Sequence, residues 1–340
     1  KTLLSAFIVA SLKVPTIFYV YSTDLLEQTA RVYEEIFQQD IGRIGGNRFT
    51  IKPITIASLQ TVHSSHERQD KRWPRLQEYL DTVQLMFVDE GHMLGADTIY
   101  NVAQITDAYY SYALTATPFR EDGKEIFIEA ATGPAIELVS EQSLVNEGYV
   151  LPVEIDMVPV KHHQTRLKNY RKLYDAEIID DWNRHRAVIN AAHKYSDKQT
   201  IILVNDIRHG RKIQDNLNCP FIHGSTPKGE RTETLDRFRN SEFNLLIASS
   251  ILKQGIDLPE AEVIILAHGG TSIVELLQKI GRVRRPSVNK DKGIVVDFYD
   301  YIMPKNDNDI FKNQSLKRIA LYEEKNFIIN WQDNIRDSAL

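Results

Sequence analysis

Apolar positions along the chain follow two rhythms. Short runs rich in β-branched residues carry almost no polar positions: TIFYVY (16–21), ITIAS (54–58), LMFVD (85–89), YALTA (112–116), TIILV (200–204), NLLIAS (244–249), EVIILA (262–267) and GIVVDF (293–298). Between them, apolar residues recur every three or four positions over 24–38, 74–82, 207–217, 228–239 and 272–281, and a further helix-like run follows residue 2 directly. A strand that is apolar on both sides must be covered on both sides, and alternation with amphipathic helices supplies the cover. The pattern predicts an α/β fold of parallel sheets. Ligands of such sheets gather at the carboxyl ends of the strands, so the residues just after each run matter most.

The rhythm restarts near residue 150. NEGYVLP (146–152) reads as a break punctuated by Gly148 and Pro152. The expected division is a first domain over 1–152 and a second over 153–340, with a cleft between two similar αβ layers. A length of 340 residues fits about two domains.

Composition narrows the classes. A net charge of −5 argues against a generally basic nucleic-acid binder and leaves a local basic groove open. One cysteine, Cys219, excludes an internal disulfide and a multi-cysteine zinc site, and fits a reducing, cytoplasmic setting. The ten histidines show no HExxH spacing. No apolar run approaches the roughly 18 residues of a membrane span. The run after residue 2 is broken by Ser11 and Lys13, with no small-residue cleavage site following, so neither a span nor a signal peptide is predicted.

The strand ends carry the chemistry. LMFV is followed by Asp89-Glu90-Gly91-His92. Paired acids at the mouth of a buried strand suit a hard cation and a proton acceptor: the first acid for Mg²⁺, the second for an attacking water. A solvated acidic turn would read the same way. YALTA contains Thr115 and is followed by Thr117, whose hydroxyls could bond His92 or the acids and pass nucleotide state on; a plain strand ending in a proline turn is the other reading. At the start, Lys1-Thr2 precedes a helix and then a strand, the order that follows a phosphate-binding loop. There the lysine reaches phosphates and the hydroxyl ligates Mg²⁺ at a helix N-terminus. On this reading a glycine-rich stretch is expected just ahead of Lys1. In the second half, Gly255 and Asp257 lie in a loop after a strand, and Gln278, Gly281, Arg282 and Arg285 share one short helix and its exit. Residues 278 and 282 fall on one helix face.

In order, these pieces resemble the motifs of superfamily 2 helicases over nearly the whole chain. Lys1-Thr2 resembles the end of motif I, VYSTDLLEQT (20–29) motif Ia, IASLQT (56–61) motif Ib, DEGH motif II, TAT (115–117) motif III, ASSILKQGID (248–257) motif V and QKIGRVRR (278–285) motif VI. Arg120-Glu121-Asp122 is similar to the RED motif of XPB-type DNA helicases. ATGPAIELVSEQSLVNEGYVLP (131–152) resembles the segment closing the first domain there and in type III restriction helicase subunits. The compact layout is also similar to that of phage helicases that migrate branched DNA. DEGH departs from the commoner DEAD, DEAH and DECH, and Ser249 stands where motif V commonly has threonine.

The resemblance implies two RecA-like domains in tandem, with ATP and Mg²⁺ bound in the interdomain cleft. Lys1 would hold phosphates, Thr2 and Asp89 the metal, and Glu90 would activate water. His92 and Gln278 would relay between motifs, Gly255 and Asp257 would border the nucleotide, and Arg282 and Arg285 would meet the γ-phosphate. DNA, single-stranded, forked or branched, would lie on the other edge, gripped at phosphates by Ser22, Thr23, Ser58, Gln60, Arg120, His223 and Ser249. The basic stretch KHHQTRLKNYRK (161–172) fits a backbone contact or a solvated face. A motor acting as a monomer on recombination or repair DNA is the leading expectation. A translocase subunit of a restriction or remodelling system, and a non-catalytic nucleic-acid clamp, are its rivals.

Overall fold

A computed structural model describes residues 1–89, 96–115, 125–134, 136, 141–162, 169–249, 261–270, 273–286, 290–302 and 309–332. The chain forms two compact units, one built on residues 1–138 and the other on 139–340 apart from 254–256.

The first unit runs α1 (Thr2–Leu12), β1 (Thr16–Val20), α2 (Thr23–Phe37), β2 (Gly42–Gly45), β3 (Arg48–Thr50), β4 (Ile54–Ser58), α3 (Leu59–Arg68), α4 (Trp73–Leu80), β5 (Leu85–Asp89), α5 (Ala96–Thr106), β6 (Tyr110–Leu114) and α6 (Glu125–Thr132). Its six strands stand in the order β3-β2-β4-β1-β5-β6. All pairings are parallel except the short β2–β3 hairpin. The strands alternate their side chains between two packed faces. Phe18, Val20, Ile56 and Phe87 meet Ala6, Val9, Leu26 and Tyr33 of α1 and α2. Ile17, Tyr19, Met86 and Val88 meet Val62, Leu76, Leu80 and Ile99 of α3, α4 and α5. Cover on both faces is why β1, β4 and most of β5 read as unbroken apolar runs.

The second unit runs α7 (Glu141–Asn146), β7 (Val153–His162), α8 (Tyr170–Tyr174), a π-helical turn (Asp175–Ile179), α9 (Trp182–Lys194), β8 (Thr200–Leu203), α10 (Ile207–Leu217), β9 (Phe221–Ile222), α11 (Lys228–Arg239), β10 (Leu245–Ala248), β11 (Val263–Leu266), α12 (Ile273–Val283), β12 (Gly293–Ile302), α13 (Ile310–Glu324) and β13 (Ile328–Trp331). Its sheet has the order β13-β7-β12-β11-β8-β10-β9, with every pairing parallel. The α/β class and the parallel sheets expected from the sequence are both present.

Charges sit inside this second sheet. Arg184 of α9, fully buried, donates to both carboxylate oxygens of Asp300 on β12 and lies 4.2 Å over the Phe298 ring. His162, at the end of β7, places Nε2 2.8 Å from Asp300 Oδ1 and Nδ1 3.6 Å from Asp181. Burial pushes the His162 pKa down, but the two carboxylates outweigh burial and raise it to about 9. His209 on α10 is the opposite case. It is fully buried, neither ring nitrogen has a hydrogen-bond partner among the described residues, and burial, then the charge of Arg184, lowers its pKa to about 3.

These two histidines predict opposite pH limbs. The stabilisation from charged His162 is complete below its unfolded pKa of about 6.5 and is lost as pH rises through about 9. His209 stays neutral in the folded unit while the unfolded chain takes up its proton, so stability falls as pH drops from about 6.5 towards 3, by at most about 1.4 kcal/mol per pH unit. Urea midpoints across pH should show both limbs. His162→Gln should flatten the alkaline limb, and His209→Leu should shallow the acid one.

Candidate functional site

The carboxyl edge of the first sheet gathers residues from distant parts of the chain. β5 is buried through Leu85–Val88 and ends at half-buried Asp89. Lys1 is the N-cap residue of α1, and its carbonyl accepts the Ser5 N–H at 3.0 Å. Lys1 Nζ lies 3.8 Å from Asp89 Oδ1, an ion-pair separation longer than a hydrogen bond. The base of α1 is held from below. Ser5 Oγ donates to the Thr2 carbonyl at 2.9 Å and accepts from the Tyr33 hydroxyl of α2, also at 2.9 Å. Burial first, with the Asp89 charge a smaller contribution, raises the Tyr33 pKa to about 12, so that hydroxyl remains a donor. Ser5 and Tyr33 are supports that the sequence did not flag.

Lys1 and Asp89 thus approach each other at the N-terminus of α1, whose first residue is Thr2. That donor set fits a nucleotide polyphosphate with Mg²⁺: an ammonium for phosphate charge, and hard oxygens for the metal. Glu90, His92, Thr117, Arg120, Gly255 and Asp257 lie outside the described residues, and Thr115 is the last described residue after β6.

On the same edge, Ser22 follows β1 and Ser58 ends the adjacent parallel β4, with Val20 facing Ser58. Each serine caps the helix that starts there. Ser22 Oγ accepts the Leu25 N–H at 3.2 Å, and Ser58 Oγ accepts the Thr61 N–H at 3.4 Å. A hydroxyl that accepts a capping bond still has its proton to donate, and an anionic oxygen is a suitable acceptor. Thr23 and Gln60 are exposed beside them, whereas Ser58 is buried. Gly45 brings the end of β2 against this spot: a Cβ there would stand 2.8 Å from Leu26 and 2.9 Å from Ser58.

In the second unit His223 follows β9. Its Nε2 lies 3.2 Å from a guanidinium nitrogen of Arg211, so that nitrogen accepts and Nδ1 carries the proton towards Ser225 Oγ at 3.0 Å. Burial, then the Arg211 charge, lowers the His223 pKa and keeps the ring neutral. Arg211 and Ser225 escaped the sequence analysis; Arg211 lies twelve residues away on α10, with no local signal. Ser249 is buried at the end of β10, and its N–H donates to the Ile222 carbonyl at 3.0 Å. The basic stretch is partly neutralised, because Arg171 bonds Asp206 and ion-pairs with Asp175 at 3.3 Å. On α12, Gln278 precedes half-buried Arg282 by one turn, and exposed Arg285 follows the helix end; the Gln278 side chain lies outside what is described.

Comparison with known proteins places both halves. Residues 1–120 match the family described as "Type III restriction enzyme, res subunit", and residues 183–287 match "Helicase conserved C-terminal domain". The chain is 26% identical over 335 residues to "DNA 3'-5' translocase XPB2" of Sulfurisphaera tokodaii, covering 86% of this chain and 73% of that protein. It is 29% identical over 301 residues to "DNA 3'-5' helicase XPB" of Kineococcus radiotolerans, covering 84% and 52%. It spans about half the length of other curated relatives as well. Among solved structures, S. cerevisiae Dbp5 aligns over 99% of this chain and 84% of its own, with a TM-score of 0.61 at 17% identity, a likeness of fold alone.

Proposed function

We infer, from the premise that this chain belongs to the superfamily 2 helicases, that it is the ATP-driven motor of a DNA translocase or helicase. The observation that carries this reading is the meeting of Lys1 and Asp89, 88 positions apart, at the carboxyl edge of a parallel sheet. Bound ATP with Mg²⁺ would supply the phosphoryl transfer to water that powers movement. Lys1 would neutralise phosphate charge, Thr2 and Asp89 would hold the metal, and Glu90 would take the proton of the attacking water. His92 and Gln278 link nucleotide state to the rest of the motor. Gly255 and Asp257 border the nucleotide, and Arg282 and Arg285 answer the γ-phosphate charge.

DNA is the polymer we assign, because the relatives named above are DNA enzymes, and 3′-to-5′ is the polarity their names carry. Ser22, Thr23, Ser58, Gln60, Arg120, His223 and Ser249 are assigned to phosphate contacts. Such contacts carry no sequence information and so suit a motor that must step along any strand. Forked or branched DNA is the favoured substrate, on the strength of the RED-like Arg120-Glu121-Asp122.

The test is steady-state ATPase with and without DNA, followed by unwinding of a fork, a four-way junction and a plain 3′-tailed duplex. DNA should stimulate turnover, and Glu90→Gln and Arg285→Ala should each abolish the stimulation. Near-wild-type turnover in both variants would end the motor assignment. Equal action on all three substrates would end the branched-DNA assignment alone.

A further inference from the structure

The turn after β11 is gripped by side chains from four separate places. Arg184 of α9 donates to the carbonyls of Leu266 at 3.4 Å and Ala267 at 3.2 Å. The Tyr174 hydroxyl at the end of α8 donates to the His268 carbonyl at 3.3 Å, and Arg318 of α13 donates to the Gly270 carbonyl at 2.8 Å. The fourth is Lys279 of α12, whose Nζ lies 2.7 Å from Nε2 of His268. Both partners of this last bond are buried. Burial, then the charge of Lys279, holds the His268 pKa well below the usual imidazole range. The ring is therefore neutral, accepts at Nε2 and donates from Nδ1 to the Gly269 carbonyl.

A buried ammonium is an expensive way to fill space. Methionine has similar length and would avoid the desolvation, whereas the lysine adds a directional bond that ties α12 to the turn. Its position does suggest a use. Lys279 stands next to Gln278 and one turn before Arg282. The exit of the same helix is tied down again. The buried Lys290 ammonium donates to the carbonyls of Ala261 at 2.8 Å and Arg285 at 3.4 Å, and the Leu151 N–H donates to the Arg284 carbonyl at 2.7 Å. At Gly293 a Cβ would fall 2.4 Å from the Val283 carbonyl, so the absence of a side chain lets the helix end seat directly on β12.

We propose that Lys279, acting through His268, is a positioning residue that locks α12 to the clamped turn and presets Arg282 and Arg285 for the phosphate chemistry. The proposal rests on the assignment of those two arginines to the nucleotide. A guanidinium held in place needs no reorganisation as charge develops in the transition state, so the lock should act on kcat rather than on ATP binding.

The experiment is ATPase kinetics and thermal unfolding of the full-length protein carrying Lys279→Met, Lys279→Arg, or Lys279→Met with His268→Leu. The double variant also removes the imidazole whose Nε2 loses its Lys279 donor in Lys279→Met, so its unfolding midpoint should recover relative to Lys279→Met alone. Lys279→Met and the double variant should both lose about tenfold to a hundredfold in kcat, with KM for ATP within about twofold of wild type. Lys279→Arg should restore most of the rate. A double variant that regains kcat along with its stability overturns the positioning role, because the lysine then served the fold only. If Arg282→Ala and Arg285→Ala both turn over normally, the nucleotide assignment falls and takes this proposal with it. If those two are inactive while the double variant is fast, only the positioning role is lost.

Discussion

Asp89→Asn should lower DNA-stimulated ATP turnover by on the order of 10²–10³-fold while changing unfolding stability by no more than about 1 kcal/mol. The two expectations come from the same geometry. The Lys1–Asp89 pair spans 3.8 Å and both side chains keep some solvent, so its contribution to folding belongs with partly exposed ion pairs. Its contribution to the proposed reaction is another matter. Asparagine keeps the shape of the side chain and removes the negative charge that a hard divalent cation requires. Lys1→Ala should show the same separation, with large loss of turnover and little loss of stability. The decisive variant exchanges the pair, Lys1→Asp with Asp89→Lys. An ion pair that served only the fold would be restored by the exchange, and turnover with it. A phosphate-and-metal site is inverted by the exchange and stays inactive. Steady-state ATPase at saturating DNA, beside urea unfolding of each variant, checks both halves. Wild-type turnover in Asp89→Asn, or recovery in the exchanged pair, contradicts the site.

The legible parts of this chain are those whose signal is local. Each of the eight apolar runs overlaps an observed strand, because a strand covered on both faces writes itself as consecutive apolar residues. YALTA is displaced at both ends: β6 begins at Tyr110, two residues earlier, where Ser111 interrupts the apolar run, and it ends at Leu114, before Thr115. β7 went unseen for a physical reason. VEIDMVPVKH carries Glu154, Asp156, Pro159 and Lys161, and reads as polar. Its charges are met by partners far along the chain: Asp156 accepts from Lys194 and Tyr195, and His162 meets Asp300. β2 and β3 were missed because GRIGGNRFT is short and glycine-rich, and one of its pairings is antiparallel. The site divides along the same line. Asp89 and Ser58 close apolar runs and Ser22 follows one, so their nomination to the candidate site needed only local signal. Tyr33 under α1, Arg211 beside His223 and the Lys279–His268 bond depend on helices folding back over the sheets, which no local pattern records.

Arg184→Leu should destabilise the second unit by about 3–5 kcal/mol, a fall of roughly 6–20 °C in its unfolding midpoint. The arginine is fully buried, and its removal takes the nearest guanidinium from the equally buried Asp300 carboxylate, leaving His162 beside it and Arg318 as the remaining arginine acting on it. It also strips a donor from the Leu266 and Ala267 carbonyls that close β11. The large effect reflects breaking the group, not the net worth of having it. Arg184→Met combined with Asp300→Leu and His162→Leu should therefore recover most of the loss, since apolar residues of similar size often replace a buried charge cluster without penalty. The titration of His162 gives a second, independent readout. Arg184 now pushes the His162 pKa down by like-charge repulsion, against the pull of the two carboxylates that brings it to about 9. In Arg184→Leu that repulsion is gone, so the His162 pKa should move up, and the alkaline loss of stability should shift to higher pH. NMR titration of the His162 ring, with unfolding midpoints measured above and below neutrality, tests both signs. A downward shift would mean that Asp300 no longer faces the imidazole once Arg184 is removed, and that the arginine holds the carboxylate in place as well as balancing its charge.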